Sequence, residues 1–148
     1  DPPRGLMTPG FVLEPLGQQH NVADYVAWSS SMAHIHATPG FEGSTWPYEM
    51  TLEQNLADLE QHARDFEQRS GFTYTVLDPA DGDVIGCLYI YPVGTDDADP
   101  GAAAAYDASV RSWVRADRAA LDGPLWRAVS GWLAAEWPFA HARYAPRS

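Results

Sequence analysis

Four arginines, Arg111, Arg115, Arg118 and Arg127, fall within seventeen positions of a chain that has nine basic residues and a formal net charge of −11. This local reversal of sign suits an anion, phosphate above all, because a guanidinium fork offers two parallel hydrogen bonds to phosphate oxygens. The competing reading is a solvated surface in which the arginines pair with Asp107, Asp117 and Asp122. A second group is His34-Ile35-His36, where imidazoles two apart on an extended segment can share a metal ion, with Glu42 as a third donor. His20, His62 and His141 are scattered, and the ligand count falls short, so no metal is expected. The aspartates of residues 78–83 lack the closing glutamate of a calcium loop. No GxSxG elbow marks a serine hydrolase. Cys87, the only cysteine, lies among Val84, Ile85, Leu88 and Ile90 and reads as a buried small hydrophobe rather than a nucleophile.

The arginines need a strand, a turn and a helix to gather them. From Tyr106 to Arg115, the residues Tyr106, Ala108, Val110, Ser112 and Val114 alternate with Asp107, Ser109, Arg111, Trp113 and Arg115, which predicts a strand with one apolar face. Asp122-Gly123-Pro124 then supplies helix-start chemistry, a carboxylate that can cap free amides followed by a proline in the first turn. The spacing of Leu125, Val129, Trp132 and Leu133 predicts a helix over 124–136 with a single apolar stripe. A strand feeding a helix N-terminus aims unpaired N–H groups at one place, and the helix dipole makes that place favourable for anions.

Upstream, Phe11 to Leu16 predicts a first strand, at an edge because of Pro15. Gln18 to Met32 predicts a helix in which Val22, Tyr25, Val26 and Ser29 share a face. Residues 33–48 carry glycines, prolines and no sustained period, so a loop is expected, packed through Phe41, Trp46 and Tyr48. Thr51 and Gln54 have capping-box spacing, and Leu52, Leu56, Leu59, Ala63 and Phe66 follow on one face as far as Gln68, with Gly71 as the stop. Glu53, Asp58, Glu60, Arg64, Asp65 and Glu67 form its solvated side. Phe72 to Leu77 and Val84 to Pro92 predict an antiparallel hairpin. Residues 94–105 read as a flexible loop, residues 1–10 as a flexible tail, and Phe139 to Pro146 as a short terminal strand.

At 148 residues and 45% hydrophobic composition, one domain spanning 1–148 is expected. The acidity argues against nucleic acid and against an anionic membrane surface, since both present negative charge. No apolar run is long enough to span a bilayer, and the first ten residues lack the apolar core of a secretory signal. A lone cysteine favours a reducing compartment, so a cytoplasmic location is expected.

The order strand, helix, loop, helix, three strands, helix, strand, together with the strand-turn-helix junction, resembles the GNAT superfamily of acyl-CoA-dependent N-acetyltransferases. The implied fold class is α+β: a mixed, mainly antiparallel central sheet flanked by helices, truncated after the fifth strand. In that family the turn signature is Arg or Gln, two residues, Gly, one residue, then Gly or Ala. Arg118-Ala119-Ala120-Leu121-Asp122-Gly123 matches it at both ends, with Leu121 at the first glycine position. The resemblance implies acetyl-CoA as cosubstrate, held by Trp113, Val114 and Arg115 of the strand and by Arg118, Ala119, Ala120, Leu121, Asp122 and Gly123 of the turn. An Asp122 carboxylate capping the helix would occupy amides that a pyrophosphate needs. The implied acceptor is a small-molecule amine or a protein amine, and Asp107 and His36, with His34 beside it, are the candidate bases. The competing class is a catalytically inactive GNAT-shaped module that binds a ligand or dimerises, and a homodimer would cover the sheet edge expected at the C-terminus.

Overall fold

A computed structural model describes residues 1–92 and 106–147. Its centre is one six-stranded sheet in the order β1-β2-β3-β4-β5-β6. The strands are β1 (Leu6–Met7), β2 (Val12–Pro15), β3 (Phe72–Leu77), β4 (Val84–Pro92), β5 (Ala108–Val114) and β6 (Ala142–Tyr144). All neighbours are antiparallel except β5 and β6, which run parallel. The helices are α1 (Asn21–Ser29), α2 (Met32–His36), α3 (Leu52–Gln68) and α4 (Asp122–Glu136), with short 3-10 turns at Gln18–His20 and Ala116–Leu121. The loop expected over 94–105 lies outside the described residues.

Strand alternation sends successive side chains to opposite faces, and both faces are covered. Ile85, Leu88 and Ile90 of β4 join Tyr74, Val76, Val110 and Val114 under α4, whose buried residues are Leu125, Val129, Trp132 and Leu133, the stripe predicted from spacing. Val84 and Cys87 of β4 face the other way, with Trp113, and meet Trp28, Ile35, Phe41 and Leu59 from the α1, α2 and α3 side. Cys87 is fully buried, and burial pushes its thiol well above the ordinary range.

Several expectations are corrected. Residues 1–10 contain β1, whose residues pair with Val12 and Leu13, and Tyr74 donates its hydroxyl hydrogen to the Pro3 carbonyl oxygen, so this segment is tied to the sheet. β1 is only two residues long, so Glu14 and Pro15 lack a partner on that side, and this is how a proline is tolerated in β2. The helix expected over 18–32 is broken after Ser29, and α2 forms where a loop was expected. Its face is also different: Asp24, Ala27 and Trp28 are buried, whereas Val22 and Val26 are 63% and 58% exposed.

α3 begins as its sequence predicts. Thr51 Oγ1 accepts from the Gln54 amide at 3.1 Å, and Gln54 Oε1 accepts from the Thr51 amide at 2.8 Å. Such a box contributes about 1 kcal/mol by satisfying donors that the first turn leaves open. Its end is set by Arg69, which adopts the left-handed conformation at φ 60°. Gly71 has a different task from the expected stop, because a Cβ there would run into the Tyr91 ring.

Candidate functional site

Two openings bear on the expected chemistry, one reaching β5 at Arg111 and one at the N-terminus of α4. The first is a cavity of about 340 Å³ between α1, α3, the 41–46 segment and strands β4 and β5. Its polar lining comes from Asp24 on α1, Asn55, Asp58 and His62 on α3, Tyr89 and Tyr91 on β4, and Arg111 on β5.

Asp24 is 4% exposed. One of its carboxylate oxygens accepts from Asn55 Nδ2 at 3.2 Å, and the other accepts nothing among the described residues. Asn55 is itself held, accepting from Trp28 Nε1 at 3.0 Å and donating to Asn21 Oδ1 at 2.9 Å. Burial pushes the Asp24 carboxyl up to about 6, the hydrogen bond from Asn55 offsetting part of that rise. No cationic side chain among the described residues lies within ion-pair distance of it.

His62 is fixed from behind. Its Nδ1 lies 2.8 Å from the Tyr91 hydroxyl and 3.1 Å from Thr73 Oγ1, and the Tyr91 hydroxyl donates to Asp65 Oδ2 at 3.1 Å. With the Tyr91 proton committed to a carboxylate, the Tyr91 oxygen can accept from an Nδ1–H, while Thr73 Oγ1 can either accept from or donate to the same nitrogen. In the Nδ1–H tautomer Nε2 is the basic nitrogen, and it has no partner among the described residues. Burial lowers the imidazole's pKa in spite of the nearby Asp65 and Asp58 carboxylates, so the ring is neutral at neutral pH. The space left by Gly71 lets the Tyr91 ring reach this position. Phe41, Trp46 and Tyr89 supply aromatic walls with centroids 6.1 to 6.4 Å apart.

The second opening is a cleft of about 560 Å³ at the α4 N-terminus, lined by Pro39, Ala119, Ala120, Asp122, Gly123, Pro124, Arg127, Pro146 and Arg147. Asp122 is the first residue of α4 and does not cap it, which corrects the expected competition for the helix amides. Its carboxylate instead accepts from Arg147 Nε at 2.8 Å. Arg147 is 8% exposed and also donates to the carbonyl oxygens of Ser112 at 2.8 Å and Ala145 at 2.7 Å. It fills the gap that opens where β6 stops pairing with β5, beyond Val110 and Tyr144.

The nine residues expected to hold the cosubstrate are therefore divided. Ala119, Ala120, Asp122 and Gly123 line the cleft. Leu121, at the signature's first glycine position, packs against the core under α4, while Trp113 and Val114 are buried. Arg115 is committed to Asp83 at 2.7 Å and Asp117 at 2.9 Å, and Arg118 to Asp78 at 2.8 Å, which ties the turn to the β3–β4 hairpin. Arg111 lies over the Phe41 ring, 4.9 Å from its centroid. Arg127 is exposed at the cleft and has no carboxylate partner among the described residues.

Neither candidate base lines the cavity. The Asp107 carboxylate accepts from the Ala140 and His141 amides at 2.7 and 3.0 Å and so fastens the turn before β6. Slight desolvation raises its pKa, but these amide bonds outweigh that and hold it below the usual carboxylate range. His36 lies in α2 with Nε2 2.6 Å from the Pro47 carbonyl oxygen, and His34 Nε2 is buried without a partner. Among the described residues, no group of three or more His, Cys, Asp or Glu side chains is arranged to hold a metal. None of the described helices is long and apolar enough to cross a membrane.

Asp24, Asn55 and His62 are invisible to a periodicity of apolar residues alone. Asp24 shares the buried face of Ala27 and Trp28 in α1, and Asn55, Leu59, His62 and Phe66 recur at spacings of four, three and four. A polar residue interrupting a buried stripe was the available signal.

No family model matches the sequence, and no curated protein matches it. Solved structures do. The ribosomal-protein-S5-alanine acetyltransferase of Vibrio fischeri aligns with a TM-score of 0.62 at 12% identity, over 88% of this chain and 65% of its own. The ribosomal L7/L12 alpha-N-protein acetyltransferase RimL aligns at 0.63 and 9% identity, over 87% and 61%. The microcin C7 self-immunity acetyltransferase MccE, solved in complex with acetyl-CoA and AMP, aligns at 0.62 and 11% identity, over 89% and 66%. This chain thus spans about two thirds of the length of each, and the likeness at such identity is one of fold.

Proposed function

We propose, on the premise that this chain carries the GNAT fold, that it transfers an acetyl group from acetyl-CoA to an amine bound in the cavity beneath α1 and α3. The observation that carries this reading is His62, a neutral imidazole held at Nδ1 by Tyr91 and Thr73 that lines a cavity together with a buried carboxylate. An amine must lose a proton to become acylated, and a positioned base that is neutral at working pH can accept it. The C–N bond forms as the thioester C–S bond breaks; the amine proton passes to His62 Nε2, and the departing thiolate takes up a proton from solvent. The Asp122 amide donates to the Ala119 carbonyl oxygen and Pro124 has none to offer, so it is the positive end of the α4 dipole, the small residues Ala119, Ala120 and Gly123 and the Arg127 guanidinium that suit the phosphates of the donor.

The test is product formation from acetyl-CoA and a panel of small amines, read by mass spectrometry, for the native chain and His62→Gln. An acetylated product that falls sharply in the variant is expected. Equal yields from the two proteins would remove His62 from the reaction, and no product across the panel would remove the activity.

A second reading is favoured by Arg147, whose guanidinium is engaged by Asp122 and the Ser112 carbonyl at the donor cleft. If that contact does not yield, the chain is a GNAT-shaped module that binds a ligand in the cavity without transferring an acyl group. Titration of acetyl-CoA into Arg147→Ala separates the two, since binding that appears only in the variant would identify Arg147 as the block.

A further inference from the structure

The cavity contains one more feature than proton transfer to His62 requires. Asp24 is a buried carboxylate with one oxygen free and no cationic side chain within ion-pair distance among the described residues, His20 acting on it only from further away, and a carboxylate so placed is disfavoured in its charged form. Asp58 lines the same cavity and adds a second negative charge, and the chain has no lysine anywhere to neutralise either. The cation that does line the cavity, Arg111, is engaged with the rings of Phe41 and Tyr89, 4.9 and 5.9 Å from their centroids. It also lines a neighbouring opening with Gly40, Glu42 and Arg143. Asp24 and Asp58 thus supply negative charge and Arg111 positive charge, while Trp46 adds an aromatic face that favours a cation.

The amine that reacts cannot be the partner of Asp24, because it must be neutral at the moment of attack. We infer that the acceptor carries a second, positively charged group, which sits on Asp24 while its reactive amine faces His62. Asn55, which touches Asp24, and His62 lie seven residues apart on α3, about two turns of one helix, so the two groups line separate parts of the same cavity and call for an acceptor whose two nitrogens are joined by a short chain. The identity of the reacting end rests on the acyl-transfer reading, whereas binding of the charged end does not.

The probes are 1,4-diaminobutane, 1-aminobutane and 4-aminobutanoate, titrated calorimetrically into the native chain and Asp24→Asn without acetyl-CoA. The native chain is expected to bind the diamine about tenfold more tightly than the monoamine, and Asp24→Asn to bind the two equally. Because Asn removes a buried charge, its melting temperature should be no lower than that of the native chain. If the variant nonetheless fails to fold, Asp58→Asn should reduce the diamine preference about threefold. Equal native affinity for diamine and monoamine, tighter binding of 4-aminobutanoate, or a preference that survives in the variant used would overturn the inference. A diamine preference without acetylated product would leave it standing and remove the acyl-transfer reading instead. Acetylation of the monoamine as efficiently as the diamine would do the reverse.

Discussion

The cavity beneath α1 and α3 and the cleft at the α4 N-terminus treat charge differently. Around the cleft the charged groups are largely paired within the chain: Asp122 with Arg147 through Oδ2, its Oδ1 being buried without a partner, Arg118 with Asp78, and Arg115 with Asp83 and Asp117. In the cavity Asp24 is buried with no cationic side chain within ion-pair distance among the described residues, and His62 is held neutral with one nitrogen free. The partly exposed pairs of Arg115 and Arg118 contribute modestly, whereas the buried Arg147 is costly to strip of its partners. An unpaired buried carboxylate is expensive too, so Asp24 is where the cavity costs the fold stability.

The contrast is broken most severely at His62. If the cavity is the reacting side, His62→Gln should reduce kcat by about a hundredfold, in the range ascribed to a positioned base, while leaving acetyl-CoA affinity unchanged. The steady-state rates and a parallel titration check both halves. The acidic limb of kcat, read at saturating acceptor so that Asp24 is already engaged, should fall below the ordinary histidine range, since burial favours the neutral ring. A limb above it would mean that another group titrates.

Next in size is the stability that Asp24 forfeits. Its folded pKa of about 6 exceeds the ordinary carboxylate value of 3.8, so the folded state takes up the proton more readily. That contribution is complete below the unfolded pKa and is lost as pH rises through 6. Other groups titrate in this window, and His20 and Asp58 act on Asp24 directly, so the informative quantity is the difference between native protein and Asp24→Asn. Denaturant unfolding should show that difference growing in favour of the variant by on the order of 3 kcal/mol between pH 4 and pH 8. A flat difference would mean that Asp24 is solvated and the contrast is unfounded.

The smallest expected effect sharpens the comparison from outside both openings. Asp107→Ala removes the acceptor of two amides and should cost about 1 to 2 kcal/mol of stability, while kcat stays within about twofold. Thermal unfolding and the rate assay together decide this. A large loss of rate in a folded variant would return Asp107 to the reaction.

The fold was largely legible from sequence, because its signals are local. The Thr51 and Gln54 box, the β3–β4 hairpin and the apolar stripe of α4 each depend on spacing within a single element. β1 was not legible, since two residues carry no period, and neither was α2, a five-residue helix among loop-forming residues. The candidate site was legible only in part. Ala119, Ala120, Asp122 and Gly123 line the cleft at the junction that the pattern marks, whereas Arg115 and Arg118 pair with aspartates 32 and 40 positions away, contacts that no local pattern reports. Asp24, Asn55 and His62 escaped because burial, which sequence does not reveal directly, is what gives them chemical meaning.

The division of labour between the two openings is tested most directly by titrating acetyl-CoA into the native chain, Arg127→Glu and Asp24→Asn. Binding in the micromolar range is expected for the native chain. It should weaken by about tenfold in Arg127→Glu, where a charge-assisted contact is replaced by repulsion, and remain unchanged in Asp24→Asn. Binding that is lost in Asp24→Asn but intact in Arg127→Glu would place the donor in the wrong opening. No binding to the native chain or to Arg147→Ala would contradict acyl transfer itself.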